Sequence, residues 1–170
     1  MTQRFTRNML LILWCCLLTS TGSALSSDHR APIKIIADTV AMNYADNITT
    51  LQGNVTLTQG STEIKGATVI LYSDKQQRLV KLVANGDTVR QAQYSTLPEK
   101  DHALFIATAN KIIYLSQDKL VNFIGDTHAT DGHNHFQGPN FHYWTEKQAV
   151  ITEKNPNQQA TILIVLESSS

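Results

Sequence analysis

Residues 37–76 read ADTVAMNYADNITTLQGNVTLTQGSTEIKGATVILYSDKQ, and residues 109–148 read ANKIIYLSQDKLVNFIGDTHATDGHNHFQGPNFHYWTEKQ. The two segments align without a gap at a constant offset of 72: Gly53-Asn54 meets Gly125-Asp126, Gly60 meets Gly132, and Gly66 meets Gly138. Apolar positions correspond as well, Val40 with Ile112, Met42 with Tyr114, Leu51 with Phe123, Ile64 with Phe136, Val69 with Phe141 and Leu71 with Tyr143. Glycines this close together bound short strands and turns, not helices. The chain is therefore read as all-β, one long antiparallel structure built twice.

Working outward, two-residue alternation continues in almost every segment. Ile33 and Ile35 flank Lys34; Val40, Met42 and Tyr44 alternate with Ala41, Asn43 and Ala45; Leu51, Val55 and Leu57 share one parity. Turn residues separate the runs at Asp46-Asn47, Gln59-Gly60-Ser61, Asn85-Gly86-Asp87, Asp131-Gly132 and Gln137-Gly138-Pro139. Asn and Gly tolerate the positive φ of tight hairpins, and Asn85-Gly86 is the strongest such signal. Residues 95–101 are the expected longer connection between the copies, and Thr161–Leu166 a last apolar strand. Each copy is too small to bury a face alone, so the two should share one core.

The first 24 residues stand apart. Arg4 and Arg7 precede an apolar run from Met9 to Leu18 and the small residues Gly22-Ser23-Ala24, the pattern of a cleaved export signal. The run is too short for a bilayer core, which takes about 20 residues of helix. The expected division is a signal peptide over 1–24, a β domain over 25–166 and a loose tail over 167–170. Cleavage removes Cys15 and Cys16, so the exported domain holds together without disulfides. It also removes two of the 14 basic residues and none of the 14 acids, taking the formal charge from 0 to −2. The remaining cations are scattered, and no basic stripe exists to bind nucleic acid.

The ordered Gly-Asn/Asp, Gly, Gly set behind an export signal resembles the OstA-like family of lipopolysaccharide transport proteins. Pro32-Ile33-Lys34-Ile35 with Ala37-Asp38 is similar to the family's first mature strand, and Leu51-Gln52-Gly53-Asn54-Val55 with Thr58-Gln59-Gly60 to its second and third. The likeness runs from Pro32 to Val165. It implies an elongated, twisted β-jellyroll of V-shaped section whose open apolar groove holds lipopolysaccharide acyl chains in the periplasm. It also implies head-to-tail self-association into a bridge between an inner-membrane LptC-like protein and an outer-membrane LptD-like translocon. The departures are a histidine-rich second half and a short C-terminal tail.

Shielding one methylene from water is worth about 0.8 kcal/mol, so several long acyl chains amount to tens of kcal/mol gross. An apolar, underfilled lining supplies that. The inward parity assigns it to Ile33, Ile35, Val40, Met42, Tyr44, Leu51, Val55, Leu57, Ile64, Val69 and Leu71 in the first half. The second half contributes Phe105, Ile112, Tyr114, Phe123, Phe136, Phe141 and Tyr143. The plainer reading of such positions is core; the tyrosines suit lipid contact best, because a phenol can face a chain while its hydroxyl stays wet.

Three other readings are weaker. His128, His133, His135 and His142 could hold a surface metal, but their repeat partners Thr56, Ser61, Glu63 and Ile70 place them on the outer face, and no functional metal or cofactor is expected. Catalytic signatures such as Gly-x-Ser-x-Gly or His-Glu-x-x-His are missing from the sequence, so no enzyme is expected. A retained first helix would instead make a membrane-anchored LptC-like component of the same pathway.

Overall fold

The structure, a computed structural model, describes residues 31–98, 103–152 and 159–164. The expected leader, both cysteines, the tail and the end of the 95–101 connection lie outside the described residues. The described residues form twelve strands and no helix. In chain order these are β1 (Lys34–Ile36), β2 (Thr39–Asn43), β3 (Ile48–Gln59), β4 (Thr62–Ser73), β5 (Leu79–Asn85) and β6 (Ala92–Thr96). There follow β7 (Phe105–Ala109), β8 (Lys111–Leu115), β9 (Leu120–Thr130), β10 (His135–Trp144), β11 (Ala149–Thr152) and β12 (Thr161–Leu163).

All pairing is antiparallel, and the four long strands each serve two layers. The first half of β3 pairs with β2 and with the second half of β4; its second half pairs with β1 and the first half of β4. Between Gln52 and Val55 the register slips, because Gly53 and Asn54 together face only Ala67. This is a β-bulge, and it bends the strand. β9 and β10 repeat it, with Gly125 and Asp126 opposite Pro139. One layer therefore runs β2-β3-β4-β5-β8-β9-β10-β11, and the other β1-β3-β4-β6-β7-β9-β10-β12. The layers share β3, β4, β9 and β10, and the bulges form the fold line between them.

Both bulge glycines need the left-handed region, with φ of +75° at Gly53 and +78° at Gly125. A Cβ at Gly53 would run into the Asp38 carboxylate, and one at Gly125 into Asn110. Each neighbour spans its bulge: the Asp38 amide donates to the Gly53 carbonyl at 3.0 Å, and the Asn110 amide to the Gly125 carbonyl at 2.9 Å. The offset of 72 thus holds for hydrogen bonds as well as for letters.

Two expectations about turns need correction. Gln137-Gly138-Pro139 lies inside β10 as part of the bulge and does not end a strand. Asn85-Gly86 closes no hairpin, since β5 pairs with β4 and β8, and β6 with β4 and β7. The chain crosses the fold line there, from one layer to the other. Asp87 caps the crossing by accepting from the amides of Val89 and Arg90 at 2.8 and 2.7 Å. Those bonds, the one to Arg90 foremost, hold the Asp87 carboxyl below its ordinary range.

The core lies between the layers. Leu51, Val69, Leu82, Ile112, Val121, Phe123 and Phe141 fill it from one side, and Val55, Leu57, Ile64, Tyr94, Phe105 and Ala107 from the other. The inward parity of β4 shifts by one residue between Ile64 and Val69, where it passes the bulge. The copies join through β5–β8 and β6–β7, so one core spans both.

Candidate functional site

The side opposite the fold line is where the layers part, and the strand ends there line a trough. A cleft of about 330 Å³ takes its floor from Leu57, Ile64, Leu82, Tyr94, Tyr114 and Tyr143 and its rim from Gln59, Ser61, Thr62, Thr96, Thr145, Glu146 and Gln148. A second, of about 510 Å³, continues along the same side past Phe105, Phe136, Tyr143 and Val150. Tyr143 lies between them, stacked on Phe105 with ring centroids 4.3 Å apart and planes at 12°. Tyr94 meets Phe105, Phe123 and Tyr143 edge-on at 5.8–6.3 Å. Edge-to-face and offset arrangements are those aromatic quadrupoles favour.

The interior is largely apolar. Burial pushes the Tyr143 phenol up to about 12 and raises Tyr114 too. Tyr94 is raised furthest, chiefly by burial and then by the neighbouring Tyr143 and Tyr114. A surface that so disfavours a phenolate suits hydrocarbon better than charge.

Of the residues expected on the lining, Leu51, Val55, Leu57, Ile64, Val69, Leu71, Phe105, Ile112, Tyr114, Phe123, Phe141 and Tyr143 do share one interior and are buried. Phe136 is half-buried against the Phe141 ring. Leu57, Ile64, Tyr114 and Tyr143 reach the first cleft, and Phe105, Phe136 and Tyr143 the second. Leu51, Val55, Val69, Ile112, Phe123 and Phe141 line neither and pack as core. Ile33, Ile35, Val40 and Met42 differ: they sit at the N-terminal end, 36–57% exposed, because no further strand among the described residues covers β1 and β2. Tyr44 follows β2 instead of belonging to it, and is 77% exposed. At the other end Ile151, Ile162, Leu163 and Ile164 are exposed likewise.

Sequence reasoning missed Tyr94 and Leu82. Neither falls inside the 37–76 and 109–148 segments, yet Ala92, Tyr94 and Thr96 alternate cleanly with Gln93 and Ser95 and could have been found by parity alone. His128, His135 and His142 lie on outward positions, whereas His133, expected there too, lies at the second cleft because it sits in the turn between β9 and β10. His128 meets Asp126 at 3.2 Å and His142 meets Asn122 at 2.6 Å, and no trio of metal-ligating side chains comes together among the described residues. No helix among them is long and apolar enough to cross a membrane.

With this folded, two-layer architecture in place, comparison with known proteins is decisive. Residues 34–149 match the family described as LptA/(LptD N-terminal domain) LPS transport protein. The chain belongs to this family. Lipopolysaccharide export system protein LptH of Pseudomonas aeruginosa is 29% identical over 161 residues, 94% of this chain and 90% of that one. The crystal structure of LptH, titled the LptA-homologous periplasmic component of the conserved lipopolysaccharide transport device, superposes with a TM-score of 0.70. That match is 26% identical and covers 79% of this chain and 97% of LptH. The β-jellyroll of the LptA family is thus the fold of this chain.

Proposed function

We propose that this protein is a periplasmic carrier of lipopolysaccharide, a transport protein and not an enzyme, which shields acyl chains in the trough between its layers while they pass from the inner to the outer membrane. The family match carries the substrate; the open, aromatic-floored clefts support the mode of binding. Lipid contact is assigned first to Leu57, Ile64, Tyr114, Tyr143, Phe105 and Phe136, which reach the clefts. The buried residues behind them shape the trough and meet chains only as it widens.

Passage needs an acceptor as apolar as the donor, or the lipid would be trapped. Identical troughs placed end to end meet that need, because transfer between them leaves the free energy nearly unchanged. Both ends suit such contact: β1 and β2 at one, β11 and β12 at the other, each with a ladder edge unpaired among the described residues and exposed aliphatic side chains beside it. Strand addition between unlike edges is heterologous and does not close, so it builds a filament. LptC-like and LptD-like proteins of the same fold family would cap its two ends.

The test is a photo-crosslinker at Tyr114, on the trough floor, and at Thr68, on the outer face of β4. Lipopolysaccharide adducts at the first and not the second are expected. Equal labelling would refute the trough.

A further inference from the structure

One polar feature interrupts the apolar trough. The hydroxyls of Tyr94, Thr62 and Thr96 neighbour one another, and the two threonines share a hydrogen bond of 3.0 Å. All three side chains line the first cleft beside Leu57, Ile64 and Leu82. Antiparallel pairing of β4 with β6 sets Ile64 opposite Tyr94, which puts Thr62 and Thr96 next along the same inward face. Resting on the lipid-carrier reading above, we infer that this hydroxyl triad recognises a hydroxyl group on the acyl chain, so that the first cleft selects hydroxylated over plain chains.

The repeat supplies an internal control. In the second half β12 pairs with β10 as β6 pairs with β4, and Ile162 stands opposite Phe136 where Tyr94 stands opposite Ile64. Two residues on, Ile164 replaces Thr96, and Asn134, the partner of Thr62, is tied to the Asp131 carboxylate at 2.9 Å. The hydroxyl cluster is thus absent from the equivalent place in the second copy, where Ile162 and Ile164 stand exposed.

The chemistry of the triad also picks the ligand group. Each hydroxyl oxygen has one proton and two lone pairs, so the single Thr62–Thr96 bond leaves the cluster with both protons and lone pairs to spare. Such a cluster can donate and accept. A chain hydroxyl can do both; an ester or keto oxygen can only accept. Among the residues lining this cleft the one full charge is Glu146, at the rim, so an anionic head is disfavoured there while a neutral hydroxyl is not.

The test compares three neutral probes on the exported protein: tetradecanoyl, 3-hydroxytetradecanoyl and 3-oxotetradecanoyl amides, with Kd read by calorimetry. A neutral hydrogen bond to a desolvated site predicts about three- to tenfold tighter binding of the hydroxy chain, and a smaller gain for the oxo chain. Tyr94→Phe and Thr96→Val should bring the three probes together, with melting temperature confirming that each variant folds. Equal binding of plain and hydroxy chains by the unaltered protein would overturn the inference while leaving the carrier reading intact. A preference that survives both substitutions would overturn it too. Failure of all three probes to bind would remove the carrier reading along with it.

Discussion

The two copies of the repeat agree in their hydrogen bonds and differ in what fills them. At the bulges the backbone is the same, glycine and a second residue at positive φ in both, Asn54 at 45° and Asp126 at 47°. Even the polar partners are exchanged in kind: Asp38 beside Asn54 becomes Asn110 beside Asp126. In the interior, by contrast, side chains change size. Leu51, Val69 and Leu71 become Phe123, Phe141 and Tyr143, and Ile33 and Ile64 become Phe105 and Phe136, while Ile35 and Leu57 become Ala107 and Ala129. Bend geometry is fixed by steric limits on φ, whereas a core tolerates exchange of residues if total volume is kept. The first half is thus an aliphatic chamber and the second an aromatic one on a common frame.

The comparison breaks most sharply by emptying equivalent sites. Phe123→Ala should cost about 3–5 kcal/mol and Leu51→Ala about 2–5, with the phenylalanine the greater loss because it also removes the edge contact with Tyr94. Urea unfolding of both variants measures it, and a smaller loss at Phe123 would show the aromatic half to be loosely packed. Next come the bulges. Gly53→Val and Gly125→Val each force a β-branched residue to positive φ, about 1–3 kcal/mol, and the first should be worse because its Cβ meets a carboxylate.

A smaller effect, confined to alkaline solution, sharpens the same contrast. Tyr94, Tyr114 and Tyr143 have folded pKa values above the unfolded value near 10, so their contribution is fully present below pH 10. It should fall as pH rises from 10 through about 12, the value for Tyr143. Phenolate absorbance should therefore show these three tyrosines ionising only with unfolding. Replacing Tyr143 by Leu, its counterpart in the first half, should delay that alkaline loss. Least of all should the swap of Asp38→Asn with Asn54→Asp matter, since it recreates the polar pair of the second copy; a change within about 0.5 kcal/mol by thermal melting is expected.

Parity and the repeat made the all-β class, the shared core and most interior positions readable before any coordinates. What they could not supply was which layer a residue joins. Gly53-Asn54 and Gly138 look like turn chemistry because bulges and turns ask for the same φ, and only the pairing of β3 with β4 distinguishes a bend within a strand from its end. Asn85-Gly86 misled for a related reason: the residues favour a tight reversal, but β5 already has β4 and β8 on its two edges. Exposure of Ile33 to Tyr44 was likewise out of reach, because alternation marks a face and is silent about whether another strand covers it. The trough floor was legible by two signals, Tyr114 and Tyr143 through the repeat and Tyr94 only through the local alternation of β6.

Four continuous strands crossing from layer to layer also set how the molecule can deform. Sliding one layer over the other would tear eight half-strands from their neighbours, while rotation about the glycine-lined crease breaks no ladder. The protein behaves as a book that cannot be sheared but can be opened, and its capacity for cargo is then a matter of one angle, shared along the spine by every rung.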